Sequence, residues 1–257
     1  MKHVIQAALS AGKEIMKIYE TEFDIEYKED DSPLTTADKR AHDVIKTTLQ
    51  TQFPDLPILS EEGRHLTYEQ RKDWKEFWLV DPIDGTKEFI KKNGEFTVNI
   101  ARICKGRPVQ GVVYAPALDT LYVADESKGA YKVEGVLTGG NVKVQPLPLP
   151  REKDITVRVV ASRSHMSAET AAFIEELRFK YKKVETISAG SSLKLCLIAE
   201  GKADFYPRYA PTMEWDTGAG QAIVELSGAK METAAEKKTL TYNKENLKNP
   251  WFLAYRK

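Results

Sequence analysis

The run Phe77-Trp78-Leu79-Val80 ends abruptly in Asp81-Pro82-Ile83-Asp84-Gly85-Thr86. Consecutive apolar, aromatic and β-branched residues closed by turn formers predict a strand, and one that stops in two acids places them at the edge of a sheet. Asp81 and Asp84 stand three residues apart across a turn predicted to begin at Pro82. Both carboxylates can converge there on a hard cation, which prefers oxygen ligands, and the Ile83 carbonyl can join them. The Gly85 and Thr86 amides open a helix, so unpaired N–H groups are available to a phosphate oxygen. Two aspartates alone would read as ordinary turn and helix caps. The Gly and Thr in the same tight element make the pattern far more restrictive.

The surrounding chain is predicted to support that edge on both sides. Val4, Ala8, Ala11, Ile15 and Ile18 recur at helical spacing, as do Ala41, Val44, Ile45 and Leu49 after the cap candidates Thr35 and Thr36. Between these helices the charged segment Lys28 to Pro33 reads as a loop that delivers Asp38 to the second helix. Further strands are expected over 96–103, 111–114 and 120–124. Gln145 to Pro150 holds three prolines and marks a linker or seam. Beyond it, strands at 155–161 and 203–206 alternate with helices at 168–181, 191–200 and 216–226, an α/β pattern. Two units follow: an N-terminal α+β half, 1–150, and a C-terminal α/β half, 151–257.

Composition removes several function classes. With 38 basic and 38 acidic side chains in 257 residues, general electrostatics does not hold this chain on extended nucleic acid. A local basic pocket for a small anion stays open. Cys104 and Cys196 form no CxxC, so neither a disulfide framework nor a zinc knuckle is suggested and a reducing cytoplasm fits. No apolar run reaches membrane-spanning length and the N-terminus lacks a signal core, so a soluble cytoplasmic protein is expected. Peripheral association with the inner membrane and the oligomeric state are left open. Gly218 and Gly220 are followed by Ile223 where a dinucleotide fingerprint needs glycine; no Walker A, HExxH or GxSxG occurs.

Two other acidic segments are candidates. Ser60-Glu61-Glu62-Gly63 follows the apolar pair Ile58-Leu59, so either glutamate can stand at another strand end. Asp216 heads the helix Trp215-Asp216-Thr217-Gly218-Ala219-Gly220, where an N-cap is the simpler explanation.

With Thr35-Thr36-Ala37-Asp38, Ser60-Glu61-Glu62, Asp81 to Thr86 and Trp215 to Gly220 in place, the chain resembles the inositol monophosphatase superfamily of lithium-sensitive, magnesium-dependent phosphatases. The motifs Asp84-Gly85-Thr86-Lys87-Glu88-Phe89, Asn93 to Asn99 and Ser191-Ser192-Leu193-Lys194 resemble its bacterial CysQ branch of 3′(2′),5′-bisphosphate nucleotidases. The resemblance implies a layered αβαβα, sugar-phosphatase-like fold with two sheets. It implies two or three Mg2+ ions held by Glu61, Asp81, the Ile83 carbonyl, Asp84 and Asp216. It also makes Asp38 and Thr86 a hydrogen-bonded pair that orients or activates the attacking water, with Glu61 beside them. The implied reaction removes the 3′-phosphate of adenosine 3′,5′-bisphosphate to give AMP; inositol and other sugar phosphates are the alternative substrates, and a silent nucleotide-binding module the alternative of another class.

A bisphosphate needs a second anion site. Gly85, Thr86, Arg163, His165, Ser191, Lys194 and Arg208 are the expected substrate contacts, on phosphate-binding logic together with the resemblance. Gly218 departs from the alanine common among relatives and is expected to loosen its helix turn slightly.

Overall fold

The computed structural model describes residues 1–21, 25–27, 33–137, 142–150, 155–161 and 166–256. The chain opens with α1 (Lys2–Tyr19), whose buried Val4, Ala8, Ala11, Ile15 and Ile18 share one face. A short hairpin of β1 (Ile25–Tyr27) and β2 (Pro33–Thr35) leads into α2 (Thr36–Gln52). Thr35 caps α2 reciprocally: its Oγ1 accepts from Ala37 N at 3.2 Å, while Asp38 Oδ2 accepts from Thr35 N at 2.8 Å. Residues 28–32 of the expected loop lie outside the described residues.

There follow β3 (Ile58–Ser60), α3 (Tyr68–Arg71), β4 (Glu76–Asp84), α4 (Thr86–Ile90), β5 (Thr97–Cys104), β6 (Arg107–Ala115), β7 (Thr120–Asp125), β8 (Gly129–Glu134) and β9 (Lys143–Pro146). They form a seven-stranded sheet in the order β3-β4-β5-β6-β7-β8-β9, antiparallel except for the β3–β4 pair. The remainder comprises β10 (Val157–Val160), α5 (Ala168–Lys180), β11 (Val184–Ile187), α6 (Leu193–Glu200), β12 (Phe205–Arg208), α7 (Glu214–Leu226), β13 (Lys230–Thr233) and β14 (Phe252–Tyr255). Its strands make a second sheet, β11-β10-β12-β14-β13.

Alternation along the strands sets the layers. Trp78 and Val80 of β4 pack towards α1 and α2, whereas Phe77 and Leu79 point into the other core with Leu195, Ala219 and Tyr206. Val159 and Phe205 of the second sheet meet Ile174 and Leu177 of α5. Helices, sheet, helices, sheet, helix is therefore the order of layers, the αβαβα arrangement expected. No helix among the described residues is long and apolar enough to cross a membrane.

The central helix α7 lies directly on the large sheet. A Cβ on Gly111 of β6 would stand 2.5 Å from the Ala219 carbonyl oxygen, so only glycine permits this approach. Gly218 has the same purpose: a Cβ there would meet Leu79 Cδ2 at 2.8 Å and Ala101 Cβ at 3.3 Å. Glycine at this position is therefore a requirement of close packing between α7 and the sheet.

Three boundaries differ from expectation. No turn begins at Pro82; β4 continues to Asp84, and a bulge takes up the extra residue between the pairs Asp81–Asn99 and Asp84–Thr97. The proline-rich seam begins inside the sheet, because Lys143–Pro146 forms edge strand β9, where a proline deletes no ladder bond that a neighbour needs. Ser191 has φ 50° and stands outside α6, which starts at Leu193.

Candidate active site

The bulge in β4 is what gathers the acids. Asp81 is buried opposite Asn99, and its Oδ1 has no hydrogen-bond partner among the described residues. Three residues on, Asp84 ends the strand, and Gly85 turns the chain at φ 91° into α4. Glu61 is held beside them because its amide donates to the Val80 carbonyl at 3.1 Å, extending the β3–β4 pairing.

Asp38 reaches the same place from the first turn of α2. Its Oδ2 is occupied by the Thr35 amide and hydroxyl at 2.8 and 2.6 Å, which leaves Oδ1 for the Thr86 hydroxyl at 3.4 Å. Thr86 Oγ1 also lies 3.4 Å from the Ile83 carbonyl. One hydroxyl proton thus faces two acceptors, and the oxygen's lone pairs stay available.

Asp216 comes from the other half of the chain, in the first turn of α7, where its Oδ2 accepts from Met213 N at 2.8 Å. Ser192 ties it to Asp84. The Ser192 hydroxyl lies 2.6 Å from Asp84 Oδ2 and 2.9 Å from the Asp216 carbonyl, and it accepts from Asn99 Nδ2 at 2.8 Å. Thr97 donates to Asn99 Oδ1 at 3.0 Å, which fixes the orientation of the amide. Ser192 and Asn99 stand in the motifs 191–194 and 93–99 that carry the resemblance, but the sequence assigns neither a role in the site. The signal for Asn99 was a polar side chain on the face of β5 that otherwise carries Ala101 and Ile103 into the core.

The electrostatics are those of acids crowded together. Burial, then Glu61, Asp84, Asp216 and Asp38, push Asp81 well above the usual carboxylate range. Burial and Asp84, with Glu61, push Asp216 up to about 8 against the opposing Met213 N–H bond and Arg208. Among the described residues no three His, Cys, Asp or Glu side chains are already closed into a cation cage. Asp84 Oδ2 is instead bonded to the Ser192 hydroxyl, and Asp216 Oδ2 to Met213 N. The donor set nevertheless fits a hard cation: all candidate ligating atoms are oxygens, one buried oxygen is orphaned, and bound positive charge would offset both the burial and the neighbouring carboxylates that raise the two pKa values.

Asp84, Gly85, Ser191, Lys194, Arg208 and Asp216 all line one cleft of about 210 Å3. Burial lowers the pKa of Lys194, whose Nζ donates to the Ala189 carbonyl at 3.3 Å. Arg208 donates from Nη2 to the Pro211 carbonyl at 3.1 Å, and its buried Nε has no hydrogen-bond partner among the described residues. Ser191 Oγ is directed at the carbonyls of Asp84 and Glu95, at 2.8 and 2.7 Å, so it braces the wall of the cleft. Arg163 and His165 lie outside the described residues. Glu214, by contrast, is a structural anchor: its carboxylate accepts from Asn243 N at 2.7 Å and from Lys244 N at 3.0 Å.

The model of the inositol monophosphatase family matches residues 1–253. A Salmonella typhimurium protein named 3′(2′),5′-bisphosphate nucleotidase CysQ is 48% identical over 256 residues, 98% of each chain. The crystal structure of CysQ from Bacteroides thetaiotaomicron superposes with a TM-score of 0.89 at 48% identity, covering 99% of this chain and 96% of that one. An inositol monophosphatase from Anabaena shares the fold with a TM-score of 0.71 at 24% identity, covering 99% of this chain and 89% of the other. A family match over nearly the full length, and relatives of this similarity, show that the chain belongs to the inositol monophosphatase family.

Proposed function

We propose that the protein is a magnesium-dependent phosphomonoesterase that removes the 3′-phosphate of adenosine 3′,5′-bisphosphate, releasing AMP and phosphate. The observation that carries this reading is the shared cleft, in which the carboxylates Asp84 and Asp216 and the cations Lys194 and Arg208 border one volume. A substrate with a single phosphate needs only the first pair. Two cations in addition suit a second phosphate, as the names of the relatives 48% identical to this chain lead one to expect.

In this proposal Glu61, Asp81, Asp84, Asp216 and the Ile83 carbonyl hold two or three magnesium ions. When bound, magnesium supplies a hard Lewis acid that offsets charge on the transferred phosphoryl group and acidifies water. The protein's own groups then position and deprotonate the nucleophile. Thr86 Oγ1 accepts a proton from the attacking water while its hydroxyl proton passes towards Asp38 Oδ1, which already stands 3.4 Å away. Asp38 keeps this orientation because Thr35 occupies its other oxygen. Water adds to phosphorus, the bond to the ribose 3′-oxygen breaks, and that oxygen takes up a proton. No covalent enzyme intermediate is required. Lys194 and Arg208 hold the 5′-phosphate, and the reaction takes place in the cytoplasm.

Phosphate release from adenosine 3′,5′-bisphosphate, inositol 1-phosphate and fructose 1,6-bisphosphate, each with magnesium, tests the assignment. The nucleotide should give the highest kcat/KM. Preference for inositol 1-phosphate would overturn the nucleotidase reading and leave the family membership intact.

A further inference from the structure

Glu88 stands in the substrate cleft and has no place in the cation site. It borders the same volume as Lys194 and Arg208. Among the described residues that line that volume, Asp84 and Asp216 are the other two acids. Local packing puts the Glu88 side chain there. Phe89 is fully buried against the rings of Tyr19 and Phe96, at centroid distances of 5.3 and 5.2 Å, and so anchors α4 with Glu88 turned to the cleft. Gly85 and Glu88 are three residues apart and share one face of that turn. A Cβ on Gly85 would stand 3.3 Å from Glu88 Oε2, and one on Gly190 would stand 3.0 Å from Glu88 Cγ. The two glycines thus let the carboxylate lie against the chain next to Asp84.

Nothing in the protein occupies this carboxylate. Among the described residues Glu88 makes no side-chain hydrogen bond and no ion pair. Lys194 is near enough to feel its charge: burial lowers the Lys194 pKa, Asp84 opposes that, Arg208 adds to it, and Glu88 opposes it more weakly. The Lys194 ammonium is nevertheless bonded to the Ala189 carbonyl, at 3.3 Å. An ionised carboxylate accepts hydrogen bonds and donates none, so beside the phosphates of a substrate it is repulsive unless a donor of that substrate reaches it.

The reacting 3′-phosphate lies at the cations of Asp84 and Asp216 and at the Gly85 and Thr86 amides, the reading of the site on which this inference rests. In adenosine 3′,5′-bisphosphate the hydroxyl donor on the adjacent carbon is the 2′-OH; the exocyclic amine of the base is several bonds further away. We propose that Glu88 is a specificity-determining residue that accepts a hydrogen bond from the 2′-hydroxyl, so that the site selects ribonucleotide over 2′-deoxyribonucleotide bisphosphates. For the ribonucleotide, a charge-assisted hydrogen bond offsets the repulsion between Glu88 and the phosphates. The deoxynucleotide meets the repulsion and leaves the acceptor unpaired, the circumstance in which a site rejects an analogue lacking one hydroxyl.

Steady-state kcat/KM for adenosine 3′,5′-bisphosphate and its 2′-deoxy analogue, at saturating magnesium, tests this in the parent, Glu88→Ala and Glu88→Gln. The parent should prefer the ribonucleotide by about tenfold or more, as one hydrogen bond to a charged group implies. Glu88→Ala should reduce that preference by about tenfold. Glu88→Gln keeps the shape and a carbonyl acceptor without the charge, and should reduce it by a smaller factor. Thermal denaturation checks that both variants are folded. Loss of the 2′-oxygen also changes the leaving 3′-oxygen, but equally in parent and variants, so the change in preference isolates Glu88. If Glu88 only balanced Lys194 or packed α4, both substrates would slow by one factor. An unchanged preference in Glu88→Ala, or no ribonucleotide preference in the parent, therefore overturns the inference and leaves the nucleotidase reading standing. Hydrolysis of inositol 1-phosphate in preference to both nucleotides overturns that reading, and the inference with it.

Discussion

Replacing Ser192 with alanine removes one oxygen and disturbs three groups at once. Its hydroxyl is the donor nearest Asp84 Oδ2, at 2.6 Å, and it also reaches the Asp216 carbonyl at 2.9 Å and accepts from Asn99 at 2.8 Å. A hydrogen bond to a charged acceptor contributes about 1.5–3 kcal/mol, and the site is buried, so water does not simply replace it. Asn99 Nδ2 keeps only the longer contact to Asp84 Oδ2, at 3.4 Å. The outer partners of a metal ligand typically carry about 10–100-fold in affinity or activity. Ser192→Ala should therefore raise the magnesium concentration for half-maximal phosphate release by about tenfold or more and lower kcat. Thermal denaturation checks that the variant is folded, and magnesium titrations of steady-state rate on parent and variant read the effect. A folded Ser192→Ala protein with the parent's magnesium dependence and kcat would refute the view that Ser192 sets the geometry of Asp84 and Asp216.

Two further perturbations test the packing and the charge. Gly111→Ala drives a Cβ to 2.5 Å from the Ala219 carbonyl oxygen and 2.8 Å from Ala222 Cβ; overpacking of this kind costs about 1–3 kcal/mol, roughly 2–4 °C of Tm for each kcal/mol in a chain of this size, and an unchanged Tm would contradict the close approach of α7. In metal-free protein the Asp216 pKa, raised to about 8 by burial and then by Asp84, means that the native state binds a proton the unfolded chain has lost. The stability this contributes is fully present below the ordinary carboxylate pKa of about 4 and is lost as pH rises through about 8. In EDTA the parent should lose more stability between pH 5 and 8 than Asp216→Asn does, and equal slopes would contradict the shift.

How much of this was legible in sequence follows from where each signal resides. The helices α1 and α2 were readable because their apolar positions repeat within the segment, and β4 to β7 because their buried residues are consecutive. The edge strands β9 and β11 carry exposed residues on both faces and few apolar signals. Strand β14 is set between β12 and β13 by pairing with residues some 20 to 50 positions earlier, which no local window records. The candidate site divides the same way. Asp81 and Asp84 are marked by their neighbours, although the extended bulge between them resembles a turn when only Pro82 is considered. Glu61, Asp216 and Asp38 are ordinary acids in sequence and needed the family resemblance. Asn99 carries a local sign, a polar side chain on a core-facing strand, but the joint place of Ser192 and Asn99 arises only when residues 84, 99, 192 and 216 meet in space.

The central claim is that the carboxylates around the β4 bulge hold the catalytic cations. Crystals grown with manganese in place of magnesium, together with AMP and phosphate, would locate those cations by anomalous scattering. The account predicts peaks bounded by Glu61, Asp81, the Ile83 carbonyl, Asp84 and Asp216, with phosphate beside Thr86. Manganese bound elsewhere, or none at saturating concentration in an active preparation, would contradict it.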